Sequence, residues 1–207
     1  MDATEMPYII YAEETPNPAT MKFVANKLLL VSGATAEYKV FEDTEDAPLP
    51  RQLFQFPFVK NVFMSFNYIT VTKHDAALWD DISYELRIFI TDYLNKGNAI
   101  INKLPQKEVA ADNSFSKTVS INTQHNAPKN EVENKIIEIL EQYIRPAVEQ
   151  DGGLITFKSL NEGVVTVQMR GACSGCPSST MTLKAGIEAL LVRLLPDDVK
   201  EVVSEAV

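Results

Sequence analysis

The stretch from residue 98 to residue 130 limits what this chain can fold into more than any other. It is rich in Asn, Lys, Gln, Ser and Thr, shows weak apolar periodicity, and carries Pro105 and Pro128. Such a segment reads as an interdomain linker, because it has too little apolar surface to sit in a core. The 207 residues then divide into a domain over 1–97 and a domain over 131–207. Hydrophobic residues make up 45% of the chain, enough for each part to hold a core of its own.

In the first part, residues 7–14 read as a strand that Thr15-Pro16-Asn17-Pro18 breaks, since each proline fixes φ and extends its predecessor. Met21 to Leu30 and Glu37 to Phe41 read as further strands. Phe54, Phe56, Phe58, Phe63 and Phe66 are expected in the core. Val62–Phe66 and Tyr68–Lys73 pattern as a hairpin turning near Asn67. Asp75 is placed to cap a helix with apolar positions Trp79, Ile82, Leu86, Phe89, Ile90, Tyr93 and Leu94, closed by Gly97.

The second part opens with a helical stripe through Val132, Ile136, Ile139 or Leu140, Tyr143, Ile144 and Val148. Pro146 should kink or break it, and Asp151-Gly152-Gly153 should end it. Leu154–Leu160 and Val164–Arg170 are strands around an Asn161-Glu162-Gly163 turn. A helix runs to about Leu195, and Val199–Val203 fits a short last strand. The expected fold class is α+β: two small α+β domains joined by a polar linker, the C-terminal one ordered α-β-β-α-(β).

Between the second of these strands and the following helix lies Gly171-Ala172-Cys173-Ser174-Gly175-Cys176-Pro177-Ser178-Ser179-Thr180. It holds both cysteines of the 207 residues. A helix N-terminus offers unpaired N–H groups and the positive end of the dipole, which favour thiolate over thiol. The glycines, proline and serines make a poor apolar core, so both sulfurs are expected near the surface. A dithiol–disulfide oxidoreductase places C-x-x-C at a helix start, although usually early in a βαβ unit. Structural zinc and an iron–sulfur cluster each want four ligands, so with two thiolates per chain either would be shared between two chains. Spacing alone does not separate the two metals. His74 and His125 stand apart from the cysteines and read as ordinary surface or partly buried side chains.

The formal net charge is −9, and neither half is basic, which argues against nucleic-acid and anionic-membrane partners. No apolar run approaches the roughly 18–20 residues that span a bilayer. The acidic start Met1-Asp2-Ala3-Thr4-Glu5 resembles neither a signal peptide nor an Arg-rich transit peptide. Together with the sparse cysteines, this gives a cytoplasmic expectation.

Several motifs together resemble the NifU-like scaffold family, specifically its Nfu-type iron–sulfur carriers. They are Ile144-Arg145-Pro146, Asp151-Gly152-Gly153, the Gly171–Thr180 loop, and Thr182-Leu183-Lys184-Ala185-Gly186-Ile187-Glu188. The first part is similar to the family's N-terminal module through Thr15-Pro16-Asn17-Pro18 with Lys22-Phe23, and through Phe66–Lys73 before Trp79. Phe58 and Leu154 depart from it, Leu154 standing where a polar residue often follows Asp-Gly-Gly. The resemblance implies a [4Fe–4S] cluster, with [2Fe–2S] left open, bridging two protomers through Cys173 and Cys176. It implies a homodimer when cluster-bound, delivery to apo iron–sulfur client proteins, an upstream cluster scaffold, and no catalytic residue.

Overall fold

Strand-forming residues in the first part condense into one antiparallel sheet. In the computed structural model the described residues are 6–31, 33–103, 125–174 and 177–206, without the side chains of 177–179 and 206. The elements are β1 (Ile10–Glu14), β2 (Thr20–Ala25), β3 (Thr35–Tyr38), α1 (Pro48–Leu53), β4 (Val59–Ser65), β5 (Tyr68–Lys73) and α2 (Trp79–Asn95). The sheet order is β1-β2-β5-β4-β3. Cross-strand rows set its two faces. Met21, Val71 and Val62 lie in one row, as do Phe23, Ile69 and Met64, and these pack with Leu49, Leu53, Leu86, Ile90 and Leu94 of α1 and α2. The opposite face carries the row Lys22, Thr70, Phe63. All three are buried, so this sheet is covered on both sides.

The predicted first-half elements form, with shifted ends. The second strand stops at Ala25, and the chain then folds over the β4–β5 turn, where Leu29 and Leu30 N–H both donate to the Phe66 carbonyl. Asp75 does not cap α2: the N-cap residue is Leu78, without a side-chain cap. The Trp79 indole N–H instead donates to the Pro18 carbonyl at 3.0 Å, tying the helix start to the sheet. Gly97 ends the helix region with φ +71°, and its N–H reaches Leu94 O. Phe54, Phe56 and Phe58 pack against the core, Phe63 is buried on the other sheet face, and Phe66 is exposed.

The second part contains α3 (Glu131–Ile139), a π turn over Leu140–Ile144, α4 (Arg145–Gln150), β6 (Gly153–Asn161), β7 (Val164–Gly171), α5 (Pro177–Leu194) and β8 (Glu201–Ala206). Asn130 caps α3 by accepting from Glu133 N–H, and the Glu133 carboxylate reaches back to Lys129 N–H at 2.6 Å. The predicted break at Pro146 takes the form of the π turn just before it, which makes room for a residue without N–H. Glu162 and Gly163 both have positive φ and form the tight β6–β7 turn. β8 joins β7 in parallel, completing a three-stranded sheet. Its core gathers Ile136, Leu140, Ile155, Phe157, Val165, Val167, Ile187 and Leu191. The fold class is thus α+β in two regions, as the patterns required.

Both ends of the polar segment pack on their neighbours. Ile100 and Ile101 lie against the first core, and Asn126 N–H donates to Phe157 O in the second. Residues 104–124 lie outside the described residues.

Candidate metal centre

The cysteine loop leaves β7 at Gly171, whose φ is +62°. Ser174 N–H and Ser174 Oγ–H both donate to the Gly171 carbonyl, closing a tight turn. Thr180, in the first turns of α5, donates its hydroxyl to Cys173 O at 3.1 Å. The loop therefore lies between strand and helix, where the sequence located it. Cys176 lies outside the described residues.

Cys173 is not at the surface. Its exposure is 6%, and it packs with the second core. Burial pushes its thiol up to about 12, and the nearby Asp151 carboxylate adds to the shift. The expectation of a near-surface thiolate is overturned here: removal from water outweighs whatever the helix end contributes. Sγ sits so close to Gly153 that a Cβ added there would lie 2.5 Å from it. A cavity of about 440 Å³ adjoins the loop, lined by Pro16, Asn17, Asp151, Ala172, Cys173, Thr182 and Leu183.

Pro16 and Asn17 belong to the first domain, because the buried second face of its sheet docks on the cysteine region. Thr70 Oγ donates to Gly152 O at 2.6 Å and Tyr68 OH to Gly153 O at 2.9 Å. Lys22 Nζ reaches Gln150 O at 3.0 Å, where a cation complements the C-terminal end of α4. It also lies 4.9 Å from the Tyr68 ring centroid. Leu154 joins Phe63 and Tyr68 in an apolar cluster, which accounts for an apolar residue after Asp-Gly-Gly. Asn17 Nδ2 donates to Ala172 O at 3.0 Å and Ser174 O at 3.4 Å. Asn17, Lys22, Tyr68 and Thr70 were not legible as part of the site. All four lie in stretches that carry the resemblance of the N-terminal part, yet nothing in those stretches pointed to the cysteine loop.

Neither histidine joins the cysteines. His74 is exposed. His125 is held by Phe157 N–H, which donates to Nδ1 at 2.7 Å, and by Glu141 at Nε2. Among the described residues no three His, Cys, Asp or Glu side chains converge as a metal site.

The family model described as "Scaffold protein Nfu/NifU N terminal" matches residues 10–97, and the one described as "NifU-like domain" matches 136–203. The chain belongs to the Nfu/NifU-like family. It is 34% identical over 199 residues to a "NFU1 iron-sulfur cluster scaffold homolog, mitochondrial" of Drosophila willistoni, spanning 95% of this chain and 64% of that protein. A protein of the same name from Drosophila sechellia is 33% identical over 200 residues, 95% of this chain and 66% of that one. "NifU-like protein 4, mitochondrial" of Arabidopsis thaliana is 32% identical over 193 residues, 91% of this chain and 63% of that one. The chain thus spans slightly under two thirds of the length of these relatives. Their names overturn the cytoplasmic expectation, which rested on the character of five N-terminal residues and on cysteine scarcity. A reducing mitochondrial interior satisfies the second of these equally well.

Proposed function

We propose that this protein carries an iron–sulfur cluster, held between two copies of the chain by Cys173 and Cys176, and delivers it to apo-proteins. The single observation behind this reading is the paired-cysteine loop at the β7–α5 junction, within a chain of Nfu/NifU-like family membership. Soft cysteine sulfur suits iron–sulfur chemistry, the thiol losing its proton as it takes up the metal. With two cysteines in 207 residues, a four-thiolate cluster needs two chains. A site made of two identical loops can be dissolved by separating the chains, which suits cargo better than a permanent electron carrier. The cluster is cargo, [4Fe–4S] in this proposal, received from an upstream scaffold. No side chain is assigned a catalytic role. The division into 1–97, 98–130 and 131–207 belongs to the same proposal, and the mitochondrial names of the relatives support work in that compartment.

Anaerobic reconstitution tests it, with iron, sulfide and zinc analysis, a visible absorption spectrum, and mass by light scattering. The expected result is roughly two irons and two sulfides per chain, because each chain supplies half of about four thiolates. Cluster uptake should turn monomer into dimer and chelation should reverse it, since metal bonds available only to the dimer drive association. Zinc without sulfide would overturn the cluster in favour of a structural metal. A metal-free protein with a reversible Cys173–Cys176 disulfide and reductase activity would overturn it in favour of an oxidoreductase. A monomer with a complete four-iron cluster would overturn the shared site.

A further inference from the structure

The docked first domain bonds backbone carbonyls on two sides of Cys173, whose thiol itself packs in the second core. On one side, Tyr68 OH holds the carbonyl of Gly153, the residue against which Sγ packs. On the other, Asn17 holds the loop itself. Asn17 is 3% exposed, and its side chain is fixed in orientation: Oδ1 accepts from Ala19 N–H at 3.0 Å. That leaves Nδ2, with its two N–H donors, facing the carbonyls of Ala172 and Ser174. Cys173 O between them is taken by Thr180. Three consecutive carbonyls of the loop are therefore tied, two of them by the other domain. The flanking prolines Pro16 and Pro18 restrict the backbone that presents Asn17.

In the cluster-carrier reading Cys173 must touch a cluster that a second chain also touches, and at 6% exposure it is largely shut away from such a partner. The loop must turn Cys173 outward, and the cavity between Pro16, Asn17, Thr182 and Leu183 gives it space to do so. Building on the cluster-carrier reading, we propose that Asn17 is a positioning residue of the cysteine loop and that the docked N-terminal domain is its gate. Cys173 reaches a cluster only after the Asn17 amide releases the Ala172 and Ser174 carbonyls. With Asn17 bonded to both carbonyls and Cys173 6% exposed, the arrangement is the closed one.

The test uses the full chain, cluster-free, in a Cys176→Ser background, with iodoacetamide labelling of Cys173 followed by intact mass. Asn17→Asp keeps the acceptor for Ala19 N–H but replaces the donor with a carboxylate facing two carbonyls. Labelling should become at least ~fivefold faster, the scale set by losing a buried hydrogen bond. The rate should stay flat in urea well below the melting concentration, because a local opening exposes little surface, whereas global unfolding accelerates steeply with urea. Labelling no faster than in the parent, or faster only along the global urea dependence, would overturn the gate. If Asn17→Asp loses its near-ultraviolet circular dichroism, Leu154→Lys carries the test, since it places a charge between Phe63 and Tyr68 without entering the second core. Faster labelling would support the gate. Unchanged labelling, with domains shown by NMR relaxation to tumble independently, would overturn it. With both cysteines present, Asn17→Asp should reconstitute faster to the same iron content. Accelerated labelling in a chain that never holds iron and sulfide would defeat the carrier reading alone. A full cluster with unchanged labelling would defeat the gate alone.

Discussion

The side-chain amide of Asn17 and the backbone carbonyl of Ala172, 155 residues apart in sequence, are joined by a hydrogen bond of 3.0 Å. This bond reaches from the first strand break of one domain to the residue before Cys173 in the other. It makes the two domains one unit around the cysteine loop. It also explains why Lys22, Thr70 and Phe63 are buried on a sheet face that an isolated domain would leave to water.

Replacing the cysteines should separate their two roles. Cys173→Ser is expected to abolish stable cluster binding, read by visible absorption. Because Cys173 packs in the second core, it should also lower stability by about 1–3 kcal/mol, the scale for a hydroxyl placed among apolar groups. Urea unfolding of the cluster-free chains measures that difference. Cys173→Ala should recover most of the stability and none of the cluster. Cys176→Ser should likewise lose the cluster.

The contact between Thr70 and Gly152 can be weighed against a glycine where an added side chain would meet nothing. Gly97 has φ +71° and open space around its missing side chain. Gly97→Ala should therefore lose only the left-handed backbone preference, about 1–2 kcal/mol. Gly152 has φ +79°, and a Cβ there would lie 2.9 Å from Thr70 Oγ1 and 3.3 Å from Lys22. Gly152→Ala should be the more damaging of the two. A double-mutant cycle with Thr70→Ala should show positive coupling between the positions. Equal losses at 97 and 152 would mean that the domains do not dock in solution.

Acid should weaken the second domain through His125. Burial holds the His125 pKa below its usual value, although the bond to Glu141 works against this, and the Arg145 charge adds to the lowering. Its Nδ1 accepts from Phe157 N–H, so the ring is neutral when folded. A depressed folded pKa means that the unfolded chain binds the proton more readily. The contribution is therefore full above the unfolded pKa of about 6.5, and is lost as pH falls from there toward the depressed value. Urea midpoints for the parent should fall over that window relative to His125→Gln, in which other titrating groups cancel. Parallel curves would refute the assignment.

Limited proteolysis should cut first within 98–130, where the composition is most polar. The halves, near 1–97 and 131–207, should still co-elute on gel filtration, because the interdomain hydrogen bonds and the Leu154 cluster do not depend on the linker. Leu154→Lys should let them separate.

Local pattern was enough for much of this protein. The alternation in Val164–Gly171, the stripe from Trp79 to Leu94 and the Glu162-Gly163 turn act within a few residues, and each formed. The placement of the cysteine loop at a strand–helix junction was legible for the same reason. Asp75 was misread because a capping residue competes with whatever anchors the helix from outside, here the bond from Trp79 to Pro18. Whether Cys173 was buried was also beyond local reading. Glycines and serines around Cys173 suggested exposure, yet its thiol packs against Gly153 and into the second core, while a distant domain holds the carbonyls on either side of it. Sequence by itself determined two α+β domains and a paired-cysteine loop, because periodicity and turn chemistry are short-range. Tertiary structure alone decided that Asn17, Tyr68 and Thr70 meet the Gly152–Ser174 region, because that meeting depends on two folded surfaces fitting together. No residue pattern along the chain encodes that distance.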